Sequence, residues 1–150
     1  MITYDDSMST RVPLIDAQHK MLFQKFNEFS DIISGNGSKE AAGDLLDFLQ
    51  FYAAWHFGRE ENCMNEYKCP IAAKNKQAHA KFINTFSQFY EQWQTGNMTS
   101  DMVSKTYIEL EGWLLYHVAR MDTRLRMCVK SEISNRDIPV PATSVIRPAF

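Results

Sequence analysis

Residues 14–33 read LIDAQHKMLFQKFNEFSDII and place Ile15, His19, Leu22, Phe26, Phe29 and Ile33 at successive steps of three and four. At 3.6 residues per turn such steps return to one face, so this segment is predicted to be a helix with a single apolar stripe. Pro13 suits its first turn, where an amide hydrogen would have no partner anyway. Ser34-Gly35-Asn36-Gly37 ends it. His19 lies within the apolar stripe, which places an imidazole among residues expected to be buried.

Three further segments repeat the pattern. Ser38 is a plausible N-cap for a second helix carrying Leu45, Leu46, Leu49, Tyr52, Ala53, His56 and Glu60, which ends near Tyr67-Lys68-Cys69. Pro70 opens a third, with Lys76, His79, Phe82, Ile83, Phe86, Phe89 and Tyr90, broken by Gly96-Asn97. Thr99 or Ser100 caps a fourth, with Val103, Tyr107, Leu110, Trp113, Leu114, His117, Met121 and Leu125. Each would be roughly 20 to 28 residues, or about 30 to 40 Å, long. Long amphipathic helices joined by short turns favour an all-α, antiparallel up-down-up-down four-helix bundle over residues 1–130, entered by an N-terminal arm. Residues 131–150 hold three of the five prolines and read as an irregular C-terminal tail or linker.

Composition narrows the functional classes. A chain of 150 residues is the size of one domain. A formal net charge of −2 with no basic tract disfavours nucleic acid as a partner, and no apolar run approaches the eighteen or so residues of a membrane span. The acidic, polar start MITYDDSMST does not resemble a signal peptide. Cys63, Cys69 and Cys128 are odd in number and lack CxxC spacing, so they read as reduced thiols of a cytoplasmic protein.

The four histidines of the chain fall one per helix. His19 and His79 lie early in the first and third helices, and His56 and His117 lie late in the second and fourth. Antiparallel helices need that alternation to gather residues into one layer. Glu60 follows His56 by four residues, on the same helical face. Asp122 follows His117 by five, which on an ideal helix leaves the side chains about 140° apart. If both serve one site, a π-type widening between Trp113 and Asp122 is expected. Imidazole with carboxylate is a ligand set for iron, manganese or zinc. The predicted metal ligands are therefore His19, His56, Glu60, His79, His117 and Asp122. Leu22, Phe23, Ile83 and Trp113, each a turn from an imidazole, are nominated as an apolar pocket lining. Glu61 is expected to be solvated, and Asp16 is a candidate to orient His19.

These residues sit in segments that resemble bacterial hemerythrins. Tyr4-Asp5-Asp6-Ser7 leading to Ile15-Asp16-Ala17-Gln18-His19-Lys20 is similar to the family's opening. His56-Phe57-Gly58-Arg59-Glu60-Glu61-Asn62-Cys63-Met64 is similar to its second-helix signature. Cys69-Pro70 with Gln77-Ala78-His79-Ala80-Lys81-Phe82, and Trp113-Leu114 through His117 to Asp122, match the third and fourth. The resemblance implies a four-helix bundle holding two non-haem iron ions joined by an oxo or hydroxo bridge, with dioxygen as ligand. It also implies that His19 and His56 serve one iron, His79 and His117 the other, and that Glu60 and Asp122 bridge them.

One position departs from the family. The third helix normally carries His-x3-His, and here its first member is Asn75. Asn75 is read as a weak or water-mediated ligand, leaving two imidazoles for each iron. A harder oxygen in place of a nitrogen donor favours the ferric state and ligand exchange. The sequence therefore points to oxygen or redox sensing, with a fused or separate signalling output as partner. The alternatives are oxygen storage or transport, and a di-iron peroxidase or nitric oxide scavenging enzyme that uses peroxide or another diatomic ligand.

Overall fold

The helix boundaries follow from local chemistry. In the computed structural model, which describes residues 1–133, α1 spans Pro13–Asp31 and begins with proline in its first turn. A short π-helical turn over Ile32–Asn36 then carries Gly35 at φ 104, a conformation that favours glycine. α2 spans Lys39–Glu66, with the Ser38 hydroxyl accepting the Ala41 amide at 3.0 Å. α3 spans Ala72–Gln94, starting two residues after Pro70. α4 spans Ser100–Arg120, capped by Thr99, whose Oγ1 accepts the Met102 amide at 3.2 Å. These four elements form an antiparallel all-α bundle. The proline-bearing tail predicted for 131–150 lies outside the described residues from 134 onward.

The end of α4 differs from expectation. The predicted π-type widening before Asp122 is not there: α4 stops at Arg120, Met121 takes φ −99 and ψ −52, and a 3-10 turn covers Asp122–Arg124. A final helix, α5, spans Leu125–Ile133. Ending the α-helix between His117 and Asp122 removes the helical phase that would have splayed them, so no extra residue has to be inserted into a turn.

Two apolar clusters fill the bundle. The larger includes Leu22, Phe23, Phe26, Phe29, Leu46, Leu49, Phe57, Phe82, Phe86, Phe89, Tyr107, Leu110 and Leu114. The smaller gathers Val12, Ile15, Cys63, Met64, Tyr67, Cys69, Leu125 and Val129. Along the chain the carboxylates and His19 of the candidate site fall between members of the two clusters: Ile15 and Leu22 flank His19, Phe57 and Met64 flank Glu60, and Val118 and Leu125 bracket Asp122. A polar layer is thus closed by hydrocarbon on both sides.

The smaller cluster also holds a covalent tie. Cys69 and Cys128 form a disulfide, with Cα atoms 5.5 Å apart and a sequence separation of 59. This corrects the reading of all three cysteines as reduced thiols; of them only Cys63 is free, and it is buried. The tertiary fold brings α5 against the α2–α3 turn, a proximity that spacing alone does not reveal. The N-terminal arm packs on α1: Ile2 and Asn27 exchange hydrogen bonds of 2.9 and 2.8 Å. Among the described residues no helix is long and apolar enough to cross a membrane.

Candidate metal centre

The six predicted ligands come together in one layer, each at most 3% exposed. His19 Nε2 lies 2.9 Å from Glu60 Oε2 and 3.2 Å from Asp122 Oδ2. His56 Nε2 lies 3.4 Å from the same Glu60 oxygen. On the other side, His79 Nε2 is 3.2 Å from Glu60 Oε1 and 3.0 Å from His117 Nε2, which is 3.0 Å from Asp122 Oδ1. Each carboxylate thus turns one oxygen to the His19–His56 pair and the other to the His79–His117 pair. Two groups result, sharing Glu60 and Asp122, and within each the ligand atoms lie within 4.8 Å of one another.

The donor set fits a cation on three counts. His56 Nε2 and both Asp122 oxygens are buried without a well-aligned hydrogen bond, an arrangement that is costly unless something else satisfies them. Spacings near 3 Å are those of neighbouring ligand atoms each about 2.1 Å from one ion. His79 and His117 also point nitrogen at nitrogen, which two lone pairs tolerate only around a proton or a metal ion.

Without an ion, protons and charges compensate one another. Burial opposes ionisation of Glu60, but hydrogen bonds with His19, His56 and His79 prevail and hold its carboxyl well below the usual value. Burial likewise opposes a charge on His19, yet contacts with Asp122 and Glu60 raise its pKa to about 10. His79 is raised to about 9 by Glu60 and Glu61 against the same penalty. His56, where burial prevails, is lowered.

The outer nitrogens show what sequence reasoning missed. His56 Nδ1 meets Gln18 Oε1 at 2.7 Å, and His79 Nδ1 meets Glu61 Oε2 at 3.0 Å. Glu61 is therefore not a solvated bystander: one residue beyond Glu60, it is turned by about 100° toward α3. Asp16 does not orient His19. Its carboxylate accepts the Thr10 amide, the Thr10 hydroxyl and the Ser9 hydroxyl at 2.7 to 2.8 Å, bracing the arm. His19 Nδ1 is buried without a partner.

Asn75 is fully buried beside the centre. Its Nδ2 donates to Glu60 Oε1 at 2.9 Å and faces Met64 Sδ at 3.1 Å, while its Oδ1 has no partner. Of the nominated wall, Trp113 lies parallel to the His117 ring at 4.4 Å. Leu22 and Phe23 are buried in the larger core, and Ile83 is partly buried against it. Phe57, not singled out from sequence, stacks on His79 at 3.9 Å.

A helical bundle that buries imidazoles around two shared carboxylates defines a metal-binding protein. Comparison with known proteins says which kind: a family model described as Hemerythrin HHE cation binding domain matches residues 10–128, and the chain belongs to the hemerythrin family. It is similar to the bacteriohemerythrin of Stenotrophomonas maltophilia, at 25% identity over 134 residues, covering 89% of this chain and 85% of that one. For the bacteriohemerythrin of Methylococcus capsulatus the figures are 25% over 122 residues, 81% and 91%. For that of Aquifex aeolicus they are 27% over 109 residues, 73% and 82%. A solved structure described as "Crystal structure of hemerythrin:wild-type" superposes with a TM-score of 0.77 at 25% identity, covering 86% of this chain and 98% of that one.

Proposed function

We propose that this protein holds two non-haem iron ions and responds to dioxygen or redox state as a sensor, with a signalling output as its partner. His19 and His56 would hold one ion, His79 and His117 the other, and Glu60 and Asp122 would each offer one oxygen to one ion and the second oxygen to the other. Iron supplies one-electron chemistry and a position for a small diatomic ligand. The residues around it orient and shield: Gln18 and Glu61 fix imidazoles from behind, and the rings of Phe57 and Trp113 keep water from one side.

Asn75 is the observation that carries sensing over storage. Its amide nitrogen is engaged by Glu60 and Met64, and α3 offers the second ion a single imidazole, that of His79. Each ion then has two imidazoles, and more positions are left for exchangeable ligands than in a family site with a fifth histidine. Easy exchange favours transfer of electrons to dioxygen over its reversible retention.

Metal analysis with an ultraviolet-visible spectrum tests the cofactor: two irons per chain are expected. Rapid mixing of the reduced protein with dioxygen tests the role. Prompt oxidation is expected, and recovery of intact dioxygen on lowering its pressure would overturn the sensing reading. Asn75→His should slow oxidation at least tenfold if the missing donor is the cause. The extra exchangeable positions also favour a second reading, a peroxidase or nitric oxide scavenger, which sustained turnover of peroxide with an electron donor would establish. A cytoplasmic location belongs to the same proposal; recovery only from an oxidising compartment, in keeping with the Cys69–Cys128 bridge, would overturn it.

A further inference from the structure

The two halves of the centre are built alike from inside and differently from outside. Behind His56 stands a neutral amide, Gln18, itself buried. Behind His79 stands a carboxylate, Glu61, whose side chain is 21% exposed. We propose that Glu61 is a positioning residue that makes the two metal positions unequal, so that the ion held by His79 and His117 is bound more tightly and kept more oxidised than its neighbour.

A carboxylate that accepts the Nδ1 hydrogen draws the proton toward itself and leaves more electron density on the far nitrogen, which strengthens the bond of Nε2 to a cation. An amide oxygen in the same place does so less, because it carries no net charge. The effect falls where the donor set is thinnest. Asn75 leaves His79 as the one imidazole that α3 contributes, and Glu61 reinforces that imidazole. Neither second imidazole, His19 or His117, has an outer hydrogen bond among the described residues, so the asymmetry lies in Gln18 against Glu61. A negative charge one bond network away from the ion also favours its higher oxidation state, so the two irons should differ in potential with the His79 side the lower.

This inference rests on the two-ion reading above, and stepwise metal titration separates the two. The metal-free full chain is titrated with Co²⁺, followed by its visible spectrum, and with redox-silent Zn²⁺. Glu61→Gln keeps the hydrogen-bond acceptor and removes the charge; Glu61→Ala removes both. Because Glu61 is partly exposed, neither change should prevent folding, and circular dichroism checks this. Glu61→Gln is expected to weaken one of the two binding steps about tenfold to a hundredfold and leave the other within about threefold. In the iron form it should raise one midpoint potential. If Glu61→Gln matches the unmodified chain while Glu61→Ala does not, the residue acts by shape alone and the inference is wrong. Equal weakening of both steps would also overturn it. Uptake of fewer than two ions by the unmodified chain would sink the two-ion reading and this inference together, whereas two ions with unaltered steps in both variants would sink the inference alone.

Discussion

His19 and His79 are raised to about 10 and about 9, whereas His56 and Glu60 are lowered. The signs have opposite consequences for the metal-free protein. The contributions of His19 and His79 are complete below the unfolded imidazole value of about 6.5 and vanish as pH rises through 9 to 10. Those of Glu60 and His56 are complete above about 4.5 and 6.5 and are lost as pH falls through their folded values. A bound cation requires imidazoles without protons, so protons compete with it. The difference in Tm between metal-loaded and metal-free protein should therefore widen as pH rises from about 6.5 to 9. Melting curves of both forms across that range check it; a constant gap would contradict the assignment. At this scale the candidate ligands were legible, because each histidine is embedded in a helical stripe at a depth that alternates from helix to helix. Gln18, Glu61 and Phe57 were not. Their partners lie on other helices, and which side of α2 faces α3 depends on a rotation that one helix's own pattern does not specify.

Among the elements, the α2–α3 turn carries local strain. Cys69 donates its amide to the Met64 carbonyl at 2.8 Å and Lys68 donates to Asn65 at 3.1 Å, the two bonds of a Schellman ending. The residue that must turn left-handed in such an ending is usually glycine; here it is Lys68, at φ 53. Lys68→Gly should raise stability by about 1 kcal/mol, measured by urea denaturation. A loss would show that the lysine side chain compensates for its backbone. Helix identities and most caps were readable from Ser38, Thr99, Pro13 and the glycine breaks. The passage from α4 to α5 was not. The five-residue spacing of His117 and Asp122 showed that an ideal helix could not join them, but a widened turn and a terminated helix solve that equally well on paper. Leu125 and Val129, buried in the smaller cluster, anchor the tighter 3-10 solution.

For the whole molecule, the up-down bundle was legible from four stripes and three short breaks, and the disulfide was hidden by a 59-residue separation that only the closed fold spans. Breaking that bridge should cost about 4 kcal/mol on the loop-closure account. A Cys69→Ser, Cys128→Ser double variant measured against the oxidised protein in urea tests the magnitude. The bridge clasps the thin hydrocarbon lid over the polar layer. It joins a point six residues past Asp122 to the turn that closes α2, the helix that carries Glu60. Both shared carboxylates are thereby fastened to one knot at one end. A chelator should strip metal from the reduced protein several times faster than from the oxidised one, and equal rates would show that ions leave by another door. With faster loss from the reduced protein, thiol chemistry at the rim governs how long the cargo stays, although no cysteine is among the candidate ligands.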